Sequence, residues 1–584
     1  MMGVSDMVEN HQPAPFHPLS GSVHYIVRFP EPRTHYVSVE ARISVPVQNE
    51  AEVFMAVWTP GSYLIREYAR HVEGVVVTDG AGNPLPFHKS RKNRWLIQTG
   101  AVEEIHFSYR VYCREMSVRT NSVEESFALL NGAPTFVSLV GGSSLPHHVK
   151  LELPEGWKVA MTGMEGAVDF DTLVDSPILA GNPALYQFEV AGVPHYLVNE
   201  GEAGVWDGPR SAADLEKIVR YCASMWGSIP CDRYYFLNLL MESGGGLEHR
   251  NSVCMIASRW ATRTRSAYLK WLALAAHEYF HVWNVKRLRP AELGPFDYEN
   301  ENPTRSLWIA EGFTEYYTGL IVRRAGLSTA REYLDTGLSE LISTLQSTPG
   351  RLWHSAQEAS WDAWIKLYRP DENTKNTSIS YYTKGAVIGW LLDARIRRET
   401  GGAKSLDDLM RLAFKRFSGE HGFTPEQFEA TAEDIAGASL RSFFAQTVES
   451  TEELDYSEAL DWFGLRFKTI DDGKPWLGVE TKIDAGRLLV SRVARDGPAW
   501  DSGLAVDDEI IAIDAFRVRA DQLPQRLESY RPADNVSVLV ARRELLMRIE
   551  LTLAGTPSKL HLEILPKASA VQNRNREDWL AVRI

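Results

Sequence analysis

Ala275-Ala276-His277-Glu278-Tyr279-Phe280-His281-Val282-Trp283-Asn284 is the stretch on which the reading of this 584-residue chain turns. From Trp271 to Trp283 there is no Gly or Pro, and nearly every residue is a good helix former or an aromatic, so the segment predicts a buried helix. On that helix His277 and His281 project from one face, one turn apart. Two neutral imidazoles so placed can bind one zinc ion, and Glu278 stands close enough to take a proton from a metal-activated water. The bland alternative is a pair of core histidines, which would leave ring nitrogens in an apolar helix in need of partners.

A catalytic zinc site takes a third protein ligand and keeps a fourth position open. Downstream, Leu307-Trp308-Ile309-Ala310-Glu311-Gly312-Phe313-Thr314-Glu315-Tyr316-Tyr317 is apolar and helical in character, with two acids four residues apart and hence on one face. Glu311 is assigned as the third ligand. Glu315 is assigned to accept the spare N–H of a ligating histidine.

The block His277-Glu278-Tyr279-Phe280-His281-Val282-Trp283-Asn284-Val285-Lys286-Arg287, with Trp308 to Tyr317 after it, resembles the glycyl aminopeptidase family of zinc metallopeptidases, of the thermolysin-like (gluzincin) group. The resemblance implies one zinc ion per chain, peptide substrates with a free N-terminus, and a preference for N-terminal Gly or Ala. It extends to Gly244-Gly245-Gly246-Leu247-Glu248-His249, which follows an apolar strand predicted over 234–241 and whose glycines free the backbone for close approach. By resemblance this is the edge strand of the cleft, with Glu248 binding the substrate amine beside Gly245 and Gly246. His249 stands where the related alanyl aminopeptidases carry Asn, and its role is open. Ser380-Tyr381-Tyr382-Thr383-Lys384-Gly385 resembles the Tyr-x-Lys-Gly element of those enzymes, which implies Tyr382 as hydrogen-bond donor to the oxyanion. Tyr381 is the fallback, because neighbouring helical residues point about 100° apart. Trp58-Thr59-Pro60-Gly61-Ser62-Tyr63 resembles the N-terminal signature of the family and reads as structural. Asn284 to Pro290 reads as a polar helix exit.

Length predicts several domains. The fold class expected is multidomain α+β: a flexible N-terminus over 1–20, a β-sandwich over 21–202 from its period-two apolar runs, a thermolysin-like α/β-plus-helical peptidase domain over 203–460, a PDZ-like domain over 461–565 and a polar tail over 566–584. The PDZ-like assignment rests on resemblance: Pro475-Trp476-Leu477-Gly478-Val479 looks like the carboxylate-binding loop, with Leu477, Gly478 and Val479 at its centre. Its partner is either a peptide ligand or the catalytic body itself. With 76 acids against 62 bases, nucleic acid is disfavoured as a partner, and no apolar run spans a membrane. Four scattered cysteines and an N-terminus without a signal pattern predict a cytoplasmic protein. Two other readings stay open on the residues: a zinc endopeptidase, and a peptide-binding scaffold with a vestigial metal site.

Overall fold

Alternating apolar residues build the N-terminal domain. In Val23–Arg28, Tyr36–Ser44 and Glu104–Tyr112 every second side chain is buried. These strands lie in a five-stranded sheet ordered 147–152, 23–28, 36–44, 104–112, 72–79. A four-stranded sheet ordered 137–139, 50–55, 94–98, 87–91 shares its core, with Val53, Met55, Trp95 and Ile97 opposite Val39, Ile43 and Phe107. The computed structural model describes residues 21–164 and 166–583; the flexible N-terminus expected over 1–20 lies outside the described residues.

The peptidase region is organised on a five-stranded sheet ordered 184–190, 193–200, 234–240, 252–257, 245–248. Val193–Glu200, Tyr234–Leu240 and Ser252–Ala257 run parallel, while Gly245–Glu248 closes the edge antiparallel to Ser252–Ala257. All seven residues of Tyr234–Leu240 are buried, as a strand covered on both faces requires. Helices Gly208–Trp226 and Arg265–Phe280 cover one face, and Phe127, Leu129 and Leu179 of the N-terminal domain pack on Leu237, Leu239 and Leu247 across the other. A helical region follows, with Tyr381–Glu399 at its centre.

The structure draws the borders differently from the sequence in three places. Residues 184–200, expected in the sandwich, belong to the peptidase sheet: period two identifies a strand but not the sheet it joins. Leu465–Ile470 and Lys559–Ile564, expected in the C-terminal β domain, pair with each other and pack through Leu465 and Leu562 on the helical body. The small domain proper therefore spans about 475–555, with its own core of Leu488, Val490, Ile510, Val538 and Val540. The polar tail is a docked helix, Ala570–Leu580, capped by Ser569. Only Trp579 and Leu580 of this helix are buried, which is why its composition reads as solvated. The Trp579 indole N–H donates to the Tyr316 hydroxyl and its carbonyl accepts from Arg324, itself fully buried and paired with Asp407. Among the described residues no helix is long and apolar enough to cross a membrane.

Candidate metal centre

The His-Glu-x-x-His helix starts at Arg265, where the Thr264 side chain caps the Ala267 N–H, and buries Ala275, Ala276, Tyr279 and Phe280 against the sheet and the following helices. That packing fixes the rotation of the helix and sends His277 and His281 to one side. The helix ends at His281, and the turn beyond it brings the Asn284 carbonyl to 2.7 Å from His281 Nδ1. His277 Nδ1 lies 3.1 Å from Glu315 Oε2 and 3.0 Å from Thr318 Oγ1. Each Nδ1–H is thereby used, so both Nε2 lone pairs are turned inward.

Glu311 meets them from a wide, π-type turn, Trp308–Phe313, leading into the helix Thr314–Arg324. Such turns leave carbonyls displaced from the α-helical ladder. Here the Asn284 side chain answers them: its amide donates to the Ile309 and Ala310 carbonyls at 3.0 Å each and lies 3.1 Å from Thr314 Oγ1. One residue thus orients His281 through its carbonyl and the Glu311 turn through its side chain. The same turn crosses Tyr381–Glu399 closely, since a methyl group on Gly312 would fall 2.5 Å from the Gly385 Cα. The glycine after Lys384 is therefore a contact requirement, and it draws the two tyrosines toward Glu311.

Glu311 Oε2 lies 3.5 Å from His277 Nε2 and 3.2 Å from His281 Nε2. A small divalent cation with tetrahedral bonds of about 2.0–2.1 Å needs ligand atoms about 3.4 Å apart. Both distances from Glu311 match that spacing, and the three ligand atoms all lie within 4.8 Å of one another. Burial alone would raise the Glu311 carboxyl, but the two imidazoles hold it below the usual carboxylate range. Burial opposes protonation of both imidazoles, yet Glu311 raises their pKa. The three groups together call for a positive charge between them, and Glu311 Oε2 has no hydrogen-bond partner to supply it. By size, donor set and unmet charge, the residues fit a metal ion.

Glu278 stands next to the triangle, its carboxyl raised by burial and pulled back by His277 and His281. Gly246 presses on it: a Cβ there would fall 1.9 Å from Glu278 Oε1. Gly245, at φ +136°, adopts a backbone conformation that favours glycine. The two glycines assigned to the amine site thus have other neighbours, with Gly246 against Glu278 rather than Glu248. Glu248 is buried two residues further on, and its Oε1 lacks a partner. The Tyr382 ring stacks over His277 at 6.2 Å between centroids, and Tyr381 stacks on Tyr382 with its own hydroxyl buried and unpartnered. Burial and then the charge of Glu311 hold the Tyr382 phenol well above its ordinary pKa, so that it keeps a proton to donate. Leu477, Gly478 and Val479 lie in the small domain, outside this cluster.

Two features differ from their reading in the sequence. The Trp58–Tyr63 segment is more than a packing element: a Cβ on Gly61 would fall 2.5 Å from Glu248 Oε1, so this loop of the N-terminal domain walls the Glu248 carboxylate. Tyr368 joins it by donating to the Gly61 carbonyl at 3.3 Å. The polar side chains after His281 turn inward instead of solvating a helix exit. Lys286 Nζ is 2.7 Å from Asp175, which also accepts from His249 Nδ1, and Arg287 donates to the carbonyls of Pro230, Arg250 and Val282. The signal for these was density of charge beside an apolar helix; their partners are too distant in sequence to infer.

Residues 24–182 match the profile described as the peptidase M61 N-terminal domain, and residues 270–388 match that of M61 glycyl aminopeptidase. No curated protein sequence matches the chain. Among solved structures, an aminopeptidase N family protein from Idiomarina loihiensis superposes with a TM-score of 0.89 at 28% identity, covering 96% of this chain and 100% of that one. A variant M1 zinc metallopeptidase from Deinococcus radiodurans superposes at 0.47 and 12% identity, covering 74% of this chain and 95% of that one. With both profiles matched over residues 24–182 and 270–388, and with the likeness to the Idiomarina protein along nearly its whole length, the chain is similar to the M61 glycyl aminopeptidases and is a peptidase.

Proposed function

We propose that the protein is a zinc-dependent aminopeptidase, with one zinc ion held by His277, His281 and Glu311. The observation that carries the reading is the meeting of buried His281 and Glu311 with half-buried His277, at 3.2 and 3.5 Å, beside a buried carboxylate, Glu278, with a second carboxylate, Glu248, at the end of the edge strand Gly245–Glu248. Zinc supplies there a Lewis acid and an acidified water. Glu278 takes the proton of the attacking water and returns it to the leaving amine. Tyr382 donates a hydrogen bond to the oxyanion that develops on the scissile carbonyl. Glu248 binds the α-ammonium and so limits how far a peptide enters; its unpartnered oxygen supports that role. Glu315 orients His277. Preference for Gly or Ala at the first position is supported by the family and by the close wall of Gly61 and Leu247 around Glu248.

The small domain we read as PDZ-like. Leu477 and Gly478 open its edge strand Val479–Asp484, with the Leu477 and Gly478 carbonyls bonded to Ala499 and Ala494. It also touches the catalytic body, where the Asn376 amide donates to the Val493 carbonyl and accepts from the Arg495 N–H. The four cysteines are free, in keeping with the cytoplasm as its compartment.

The test is a pair of measurements on a glycyl or alanyl peptide. Glu278→Gln should keep its zinc and lose turnover by roughly 100-fold or more. Acetylating the substrate amine should abolish cleavage. A variant with wild-type turnover removes Glu278 as base, and cleavage of the acetylated peptide makes the enzyme an endopeptidase.

A further inference from the structure

The edge strand orders its neighbours along its length. Glu248 stands at one end, Gly246 faces Glu278 in the middle, and Gly245 is at the other end. A peptide held by its amine at Glu248, with its first carbonyl near Glu278, runs antiparallel along the free edge toward Gly245. Edge-strand addition of this kind is a common way to bind extended chain. At the Gly245 end the next group is a guanidinium: Arg119 Nη1 lies 4.0 Å from where a Gly245 Cβ would be. Arg119 comes from the N-terminal domain, on a loop tied down on several sides. Its carbonyl accepts from the Tyr68 hydroxyl, its N–H is bonded to Ser117 Oγ, and Val118 packs in the cluster of Leu247 and Cys254. The side chain is half-buried, its Nε is buried without a hydrogen-bond partner, and among the described residues no carboxylate pairs with it. A guanidinium partly removed from water and lacking a counter-ion is costly unless a ligand provides one.

We propose that Arg119 binds the C-terminal carboxylate of the substrate, making di- and tripeptides with free C-termini the preferred substrate class. The spacing supports this. Glu248 and Gly245 are three residues apart, roughly 10 Å along a strand, and an extended tripeptide spans about 10 Å. A longer peptide carries a neutral amide where the guanidinium waits. The proposal rests on the aminopeptidase reading, which fixes the amine at Glu248.

The experiment compares kcat/KM for Ala-Gly-Gly, its C-terminal amide and N-acetyl-Ala-Gly-Gly in the wild type, Arg119→Ala and Arg119→Lys. The wild type should favour the free acid over the amide by roughly 10- to 100-fold, the range of a charge-assisted hydrogen bond, expressed mainly in KM. The ratio should fall to about 1 in Arg119→Ala and lie between the two in Arg119→Lys. A wild-type ratio near 1, which needs no variant to measure, or an unchanged ratio in Arg119→Ala, overturns the proposal. The acetylated peptide separates the two layers. If it is cleaved as fast as the free amine, the aminopeptidase reading itself fails; if only the acid preference is missing, the carboxylate site alone fails.

Discussion

Replacing Asn284 by Ala tests how the metal triangle is held. The Asn284 side chain supplies hydrogen bonds to the Ile309 and Ala310 carbonyls within a fully buried turn. Ala310 O keeps a second donor in Thr314 Oγ1, so it is not orphaned, whereas the carbonyl of buried Ile309 loses its side-chain partner. One lost bond at about 1 kcal/mol and one stranded carbonyl at about 1–3 kcal/mol give a cost of about 2–4 kcal/mol. Because the turn carries Glu311, the damage falls on the metal site as well as on stability. Zinc affinity, measured by competition with a chromophoric chelator, should drop roughly 10- to 100-fold, the usual effect of losing a residue that orients a ligand. Thermal unfolding with and without excess chelator separates the two effects: the zinc-dependent gain in Tm should shrink, beyond any loss shared by both forms. Wild-type zinc affinity in a variant destabilised by the expected amount would refute the argument, since Asn284 would then support the fold without positioning Glu311.

Other perturbations address the remaining parts of the account. Gly61→Ala puts a methyl group 2.5 Å from Glu248 Oε1 on a backbone at φ +83°, and should lower kcat/KM on free-amine peptides by roughly 100-fold with zinc content unchanged. Trp579→Ala empties a fully buried site and removes a bond to Tyr316, and should cost about 3–5 kcal/mol in denaturant unfolding. Acid stability should depend on Asp407. Burial alone would raise its pKa, but Arg324 at 3.0 Å draws it down from 3.8 to about 2. A folded-state pKa below the unfolded one means that this contribution is complete above about pH 4 and is lost as pH falls toward 2. It is worth about 2 kcal/mol, so wild type should lose more stability than Asp407→Asn over that window when both are followed by urea unfolding.

The site was legible in sequence where local geometry dictates it. The spacing of His277 and His281 and of Glu311 and Glu315 translates directly into helix faces, and the structure brings His277, His281 and Glu311 to one point with Glu315 behind His277. Contacts between distant segments were not legible. Nothing near Gly61 shows that it borders a carboxylate at position 248, or that Asn284 will fill a turn at 309–310. Strand periodicity marked residues 184–200 as extended but carried no information on their partner, because pairing is chosen by tertiary packing. The C-terminal helix escaped notice because two apolar residues suffice to dock it when a buried Arg324 supplies the remaining bond.

X-ray anomalous scattering at the zinc absorption edge, from crystals of protein purified without chelator, tests the central claim most directly. The account predicts a single strong peak bonded to His277 Nε2, His281 Nε2 and a Glu311 carboxylate oxygen. A peak elsewhere, or full-occupancy protein with none at this triangle and undiminished peptidase activity, would contradict it.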